Sequence, residues 1–155
     1  MDDLANSLPA ATGIDLSRLE KMAGFLLRLS QLQVYEAFHA ALAGRDITPT
    51  RYSLLAVLHD NPSSRPGQIA EALRVKPSNM ATLLQQFERE GLIRRVADPA
   101  ERRAALVELT EDGQRLFAEI DPVVRAMEDQ AVAALNPAEV PLFLDMLIRV
   151  AGMRR

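Results

Sequence analysis

The sequence predicts a mainly α-helical protein with one small β-hairpin. Apolar residues recur at three- and four-residue steps through most of the 155-residue chain, which is the period of an α-helix. The spacing becomes two only in a short stretch after Gly91, which is the period of a strand. Prolines and glycines separate these segments. The predicted order is four helices, two strands and two helices, in a single domain over residues 1–155.

The first predicted helix occupies residues 15–43 and ends at Gly44. Its apolar residues follow the helical period from Leu16 to Tyr35. The segment is too apolar around its circumference for an isolated surface helix, so we expect it to pack against the core or a second subunit. Dimerisation is the simpler of these two explanations.

The second and third helices begin with similar signals. Thr48 can cap the second helix, and Pro49 suits its first position because the missing N–H has no helical partner there. Asn61 followed by Pro62 ends this helix. The third begins in the same way within SSRPGQIAEALRV and directs three apolar side chains inward: Ile69, Ala70 and Leu73.

The fourth helix begins at Pro77 and ends at Gly91, a typical C-terminal stop. Its apolar residues at helical spacing are Met80, Leu83, Leu84 and Phe87. A tight turn around residues 74–76 joins it to the third helix. Two short helices joined in this way predict a helix-turn-helix.

The stretch after Gly91 predicts a β-hairpin. LIRRVA is typical of a short strand, and AALVEL alternates, which places Ala105, Val107 and Leu109 on one face. Asp98 and Pro99 supply the turn between the strands.

Two helices follow the hairpin. Thr110 caps the first of them, and the acidic residues of its first turn suit the helix dipole. Pro122 is expected to kink it. The sequence NPAE at residues 136–139 is a capping-box pattern that opens the last helix, which continues to Val150. The predicted apolar stripe of the longer helix consists of Leu116, Ile120, Val123, Met127, Ala131 and Leu135.

Composition excludes several classes of protein. The absence of cysteine removes disulfides, thiol nucleophiles and iron–sulfur clusters, and two histidines make a metal site improbable. The sequence contains no glycine-rich phosphate loop and no hydrolase or metalloprotease motif, so we expect no enzyme activity and no cofactor. The acidic N-terminus and the lack of a long apolar run predict neither a secretion signal nor a membrane span, and hence a cytoplasmic protein.

The distribution of charge matters more than its total. The net charge of −3 alone argues mildly against a nucleic-acid partner. Residues 62–109, however, contain 8 basic and 6 acidic residues and form the only net-positive block of the chain. This block includes the predicted helix-turn-helix and hairpin.

A helix-turn-helix followed by a hairpin is a winged helix, and here the chain resembles the MarR family of bacterial transcriptional regulators. Two stretches carry the resemblance: QIAEALRVKPSNMATLLQQFEREGLIRR and DPAERRAALVELTEDG. In the second, the family has an acidic–arginine wing and a Leu-Thr-x-x-Gly entry to its long helix. The resemblance implies a winged DNA-binding lobe at 48–109 and a dimerisation lobe of N- and C-terminal helices at 15–47 and 110–155.

The resemblance also implies a function. It predicts a homodimeric regulator that binds a pseudo-palindromic operator in double-stranded DNA, most simply as a repressor released by a small organic ligand. The sign of regulation depends on where the operator lies, so activation stays open. The alternative is a helical protein-interaction module on a winged-helix scaffold that does not bind DNA, and the net charge of −3 keeps this alternative open.

The fourth helix carries the first set of candidate DNA contacts. An α-helix fits the major groove, and short polar side chains in its N-terminal half reach base edges or phosphates. Asn79 and Gln86 can pair bidentately with adenine, so they are the candidates for reading bases. Ser78 and Thr82 are candidates for phosphates. Lys76 lies at the preceding turn and is either a phosphate contact or a free surface lysine.

The hairpin carries the second set. Arg102 and Arg103 lie just past its tip, and a guanidinium suits a narrow, electronegative minor groove. The resemblance implies that an aspartate and an arginine of this motif pair to stiffen the wing. Asp98 with Arg103 is the expected pair, which leaves Arg102 for the groove, although both arginines could simply solubilise a loop. Arg94 at the base of the wing is a weaker phosphate candidate.

The resemblance further implies an effector site between the dimerisation helices and the winged helix. Members of the family commonly bind small, often aromatic, anionic ligands there, such as aromatic acids or their thioesters. Such a pocket needs an apolar lining with a few convergent polar groups. The alternative for His39 and the tyrosines is ordinary core packing. The candidates are Arg28, Tyr35, His39, Arg51 and Tyr52.

Overall fold

The computed structural model describes residues 13–101 and 105–153. A short 3-10 turn at Leu19–Lys21 precedes eight regular elements. They follow in the predicted order and confirm a mainly helical fold with one hairpin: α1 (Ala23–Ala41), α2 (Pro49–Asp60), α3 (Pro66–Ala72), α4 (Pro77–Arg89), β1 (Ile93–Ala97), β2 (Ala105–Leu109), α5 (Glu111–Ala131) and α6 (Val140–Val150). None of the helices in the described ranges combines the length and apolar character needed to cross a bilayer.

The chain divides into two compact units. One, here called the central unit, is Phe38–Arg125, and the other, the terminal unit, is the described chain up to Ala37 and from Ala126 onward. The predicted lobe boundaries at 48 and 109 stay a prediction. The core of the central unit consists of side chains that are almost fully buried: Leu54, Leu55, Leu58, Ile69, Met80, Leu84, Phe87, Val107 and Ile120.

Local signals set the helix-turn-helix as predicted. The Thr48 hydroxyl accepts a hydrogen bond from the Arg51 N–H at 3.3 Å, and α2, α3 and α4 each begin at a proline. Between α3 and α4 the chain turns through Arg74, whose φ of 51° is in the left-handed region. Gly91 has a φ of 73° and lies just beyond α4, as its predicted role as a helix stop requires.

The hairpin is antiparallel, with Ile93 opposite Leu109 and Ala97 opposite Ala105. Val107 and Leu109 are buried, which confirms the predicted inward face. A bridge that the sequence did not predict adds to this sheet: the Ser64 N–H donates to the Val107 carbonyl at 3.2 Å, and the Val107 N–H donates to the Ser64 carbonyl at 2.9 Å. One bridging residue has no periodicity, so no pattern could have indicated it.

The junction between the hairpin and α5 is tied to the end of α4. The Thr110 hydroxyl donates to the Gly91 carbonyl at 2.6 Å, and the Thr110 N–H donates to the Leu92 carbonyl at 3.0 Å. The same hydroxyl accepts from the Gly113 N–H at 3.1 Å, which confirms Thr110 as the cap. Gly113 packs directly on the Leu92 carbonyl, where a side chain would clash. The threonine and glycine of this motif therefore have separate structural roles.

The first predicted helix is shorter than expected. It was predicted to begin at residue 15, but α1 begins at Ala23. The Asp15 carboxylate accepts a hydrogen bond from the Ser17 N–H at 2.9 Å, and such a local bond competes with the helical pattern. Met22 is extended, with φ −105° and ψ 111°, and separates the short turn from α1.

The prediction of the apolar stripe of α5 is also partly wrong. Val123 is 37% exposed, and the buried side of the helix is formed by Gly113, Phe117, Ile120, Val124 and Met127. The two stripes are neighbours on the helix surface, and packing rather than periodicity selects between them. Pro122 lies inside α5, which continues through it. The predicted capping bond joins the Asn136 N–H to the Glu139 carboxylate at 2.8 Å, but α6 begins only at Val140.

Candidate nucleic-acid interface

Helix α4 separates a buried apolar side from an exposed polar one. Met80, Leu84 and Phe87 are at most 1% exposed and face the core of the central unit. The four candidate contacts on α4 are all exposed, together with Ala81 and Gln85: they are Ser78, Asn79, Thr82 and Gln86. The helix therefore presents a continuous row of short, uncharged polar side chains to solvent.

The ends of this row have local contacts. The Thr82 hydroxyl donates to the Ser78 carbonyl at 3.1 Å. Lys76 is exposed and occupies the cap position immediately before Pro77. At the other end, the Arg89 guanidinium donates to the Gln85 carbonyl at 3.2 Å.

The arginines at the base of the wing have carboxylate partners. Arg94 lies opposite Glu108 across the hairpin, and its Nε and Nη2 donate to one Glu108 oxygen at 3.2 and 3.0 Å. The Ser63 hydroxyl donates to the other oxygen. Hydrogen bonds from Ser63 and then from Arg94 lower the pKa of Glu108. Arg95 pairs with Glu88 at 3.1 Å. The charge of Arg94, a candidate phosphate contact, is therefore balanced locally.

The turn of the wing is braced by an arginine that the sequence did not indicate. Arg65 donates from Nε and Nη2 to Asp98 Oδ2 at 2.9 and 2.6 Å, and its Nη1 lies 3.3 Å from Glu101. The Ala100 N–H donates to Asp98 Oδ1 at 2.8 Å. This backbone bond and then the Arg65 bond lower the pKa of Asp98. The carboxylate is 6% exposed and held on both oxygens.

Arg102 and Arg103 lie outside the described residues, so the expected pair of Asp98 with Arg103 stays a prediction. Among the described residues, Arg65 supplies the guanidinium for Asp98. Arg65 precedes α3 and lies 33 residues before Asp98. It falls outside the wing motif, so motif spacing gave no signal for it.

Two of the effector candidates in the central unit have their polar groups engaged. Arg51 is buried, and its Nη1 and Nη2 donate to the two Glu90 oxygens at 3.2 and 2.5 Å. The Tyr52 hydroxyl donates to Asp121 Oδ1 at 2.7 Å. His39, in the same unit, packs edge-on against Phe38 with ring centroids 6.1 Å apart.

The other two effector candidates, Arg28 and Tyr35, belong to the terminal unit. The Arg28 guanidinium carbon lies 5.9 Å from the centroid of the Phe25 ring. Tyr35 is 48% exposed. Their part in an effector site stays a prediction.

The contact between Tyr52 and Asp121 predicts a pH-dependent stability. Burial raises the pKa of Asp121, but hydrogen bonds from Tyr52 and Arg125 outweigh it and lower the pKa below its ordinary 3.8. A lowered pKa in the folded state stabilises the fold above about pH 4, and this contribution is lost as pH falls through the folded value. We expect Tyr52→Phe to cost about 1–2 kcal/mol at neutral pH and progressively less below pH 4, measured by urea unfolding from pH 7 to 2.5.

Asp121→Asn provides the control for this experiment. In that background the group that titrates is absent, so Tyr52→Phe should have the same effect on the free energy of unfolding at every pH. A pH-independent cost of Tyr52→Phe in the otherwise unchanged protein would contradict the assignment.

Comparison with known proteins relates this chain to transcriptional regulators. Residues 47–105, which span α2 to the start of β2, match the MarR family. The chain is 28% identical over 102 residues to the transcriptional regulator HosA of Escherichia coli O111:H-, covering 66% of this chain and 76% of HosA.

Solved structures extend the similarity to most of the chain. The transcriptional repressor CouR bound to a 23-mer DNA duplex is 29% identical, with a TM-score of 0.83, and the match covers 89% of this chain and 98% of that one. CouR from Rhodococcus jostii RHA1 bound to p-coumaroyl-CoA is 27% identical, with a TM-score of 0.77, over 86% and 94% of the two chains.

Proposed function

This chain belongs to the MarR family of transcriptional regulators, and we propose that it is a homodimeric repressor that binds a pseudo-palindromic operator and is released by a small organic ligand. The observation that carries the DNA-binding part is the exposed polar row of α4, opposite a side that is almost fully buried. The similarity to CouR bound to DNA supports it. In this proposal α4 enters the major groove and is the recognition helix.

Within α4 the roles follow from side-chain chemistry. Asn79 and Gln86 carry amides that can donate to and accept from one adenine, so they read bases. Ser78 has a hydroxyl suited to phosphate oxygens, and Lys76 adds a cation beside it. The Thr82 hydroxyl would first have to release its bond to the Ser78 carbonyl before it could donate to a phosphate, so Thr82 is the weaker candidate.

The wing supplies the minor-groove contact in this proposal. Arg65 holds the turn through its ion pairs with Asp98 and Glu101. Arg102 and Arg103 come directly after it in the sequence. Arg94 is the weaker candidate because Glu108 already balances its charge.

The homodimer rests on the surface of the terminal unit. Large apolar patches on a soluble chain mark interaction sites, and this unit leaves most of its large apolar side chains exposed. A dimer places two recognition helices about 34 Å apart, one turn of DNA. The exposed apolar residues of α1, α6 and the segments flanking them are Ile14, Leu16, Leu19, Met22, Leu26, Leu27, Leu29, Leu32, Leu142, Phe143, Leu144, Met146, Val150 and Met153.

The effector is proposed to be an aromatic acid or its thioester, in line with the binding of p-coumaroyl-CoA by CouR. To release DNA, it must bind one arrangement of the dimer better than the other. Arg28, Tyr35 and His39 remain candidate contacts. Arg51 and Tyr52 would first have to exchange their contacts with Glu90 and Asp121, so they are weaker candidates.

Selection from random-sequence duplex DNA tests the proposed function. We expect the full-length chain to enrich a palindromic sequence with half-site centres about ten base pairs apart. Asn79→Ala should weaken binding to the selected duplex by about ten-fold and relax the preference at one position in each half-site.

Gln114→Ala is the matched control, since it removes an exposed amide from α5 and should leave DNA affinity unchanged. If no sequence is enriched and the chain does not bind heparin at low salt, the protein-interaction alternative replaces this proposal.

A further inference from the structure

A half-buried ion pair joins the start of α2 to the end of α4. The Arg51 side chain is 10% exposed and forms two hydrogen bonds with the Glu90 carboxylate, which is 40% exposed. The Arg51 guanidinium carbon also lies 4.6 Å from the centroid of the buried Phe87 ring. Arg51 Nε is buried and has no hydrogen-bond partner among the described residues. The guanidinium is therefore committed to Glu90 and Phe87, at some cost to its own hydrogen bonding.

Both charges oppose the dipoles of their helices. Arg51 lies in the first turn of α2, where the helix N-terminus is partially positive, and Glu90 is the C-terminal cap of α4, where the helix is partially negative. A free cation or anion would be disfavoured at these positions. The pair between the two helices places each charge beside one of opposite sign, which offsets this cost.

Stability alone is a poor explanation for such a pair. Removing the Arg51 charge from water offsets much of what its attraction to the partly exposed Glu90 returns, and apolar residues of similar volume often stabilise a fold at least as well as a buried charge. A bidentate pair does fix the relative orientation of its two side chains, because the planar guanidinium donates two hydrogen bonds to a carboxylate in only a few orientations. The main effect of the pair should therefore be on the position of α4 relative to α2.

Glu90 lies next to the residues that connect α4 to the wing and to α5. Gly91 follows it, and the Gly91 carbonyl accepts the hydrogen bond from Thr110 that ties the end of α4 to α5. Strand β1 of the wing begins two residues later, at Ile93. A displacement at Glu90 would move the recognition helix and the wing base together.

We infer that the Arg51–Glu90 pair is a positioning device for DNA recognition, which holds α4 in the orientation that base reading requires. Arg51 is in this view a positioning residue that does not contact DNA. The inference rests on the proposed function. Base reading depends on the exact position of α4, whereas attraction to phosphates acts at long range. A positioning role therefore predicts a loss of sequence-specific affinity alone, and a purely structural role predicts a loss of both specific and non-specific affinity.

The test compares Arg51→Met combined with Glu90→Leu against the unchanged full-length chain. The probes are the duplex selected by the unchanged protein and a scrambled duplex of equal length and composition. We expect a thermal midpoint within a few degrees of the unchanged protein, affinity for the selected duplex lower by about ten-fold, and affinity for the scrambled duplex within about two-fold. The slope of log affinity against log salt should not change, because no phosphate contact is lost.

Two further variants make the result decisive. Arg45→Met with Glu119→Leu removes an ion pair of the same unit, 2.7 Å long, that does not involve α4, and both affinities should stay unchanged. Glu90→Gln keeps a hydrogen-bond acceptor for Arg51 without the charge, and should lower selected-duplex affinity by about two- to five-fold at an unchanged salt slope. Glu90→Gln tests the inference even if the apolar double variant does not fold.

Wild-type affinity of Glu90→Gln for the selected duplex overturns the inference and leaves the proposed function standing, and so does wild-type affinity of the double variant. A parallel loss on selected and scrambled DNA, together with a lower thermal midpoint, also overturns it, because that is the result of general destabilisation. An unchanged protein that enriches no sequence overturns the proposed function and this inference with it.

Discussion

Gly113→Ala is expected to lower the free energy of unfolding by about 3 kcal/mol. A Cβ at this position would overlap the Leu92 carbonyl oxygen and approach the Leu92 carbonyl carbon at 3.1 Å and the Leu109 Cδ2 at 3.2 Å. The main obstacle is backbone, which cannot rotate away as a side chain can. The added methyl group must therefore push the end of α4 and the start of α5 apart, and urea unfolding measures the cost.

Gly67→Ala is the matched control for this change. Gly67 is also in the first turn of a helix in the central unit, but among the described residues no atom lies within 4 Å of where its Cβ would be. Restricting the unfolded chain should then stabilise the protein by about 0.4–1 kcal/mol. Similar effects of the two substitutions would show that the contact between Gly113 and Leu92 does not limit packing.

Arg102→Ala is expected to weaken binding to the selected duplex by about ten-fold or more. A cation that leaves the DNA interface also removes close to one unit from the slope of log affinity against log salt. The physical reason is the strong negative potential of a narrow minor groove, which favours an inserted guanidinium. Gel-shift titrations at several salt concentrations measure both quantities.

Arg94→Ala is the control on the same wing. Glu108 already balances the Arg94 charge, so its removal should change affinity by less than about three-fold. Arg103→Ala distinguishes the two adjacent arginines, since Asp98 is already paired with Arg65. A larger loss for Arg103→Ala than for Arg102→Ala would show that Arg103 enters the groove, contrary to the sequence-based assignment.

Much of the fold could be predicted because its boundaries are set locally. The prolines at the starts of α2 and α4, the Thr48 and Thr110 caps and the Gly91 stop each act within a few residues of the chain. Alternation over a few residues likewise placed Val107 on the buried side of the hairpin. The start of α1 and the buried stripe of α5 were missed because competing local bonds and tertiary packing decide them.

The candidate interface likewise contains features that could be predicted from the sequence and features that could not. Asn79 and Gln86 could be placed on one exposed side of α4 because the helical period alone fixes their direction. The partners of Asp98 and Arg51 lie 33 and 39 residues away, and a single distant ion pair leaves no periodic trace in a sequence. One signal was present: Arg51 and Glu90 each oppose the dipole of the predicted helix on which they lie.

The bridge between Ser64 and Val107 also bears on aggregation. A two-stranded sheet has two open edges, and unpaired backbone groups along an edge can add a strand from another molecule. Here the N–H and carbonyl of Val107, at the centre of β2, are already bonded to Ser64. The outer edge of β2 is thus blocked at its midpoint, which shortens the run of backbone groups that another strand could pair with. On the β2 side the wing is therefore a poorer template for intermolecular β-structure than an open hairpin would be.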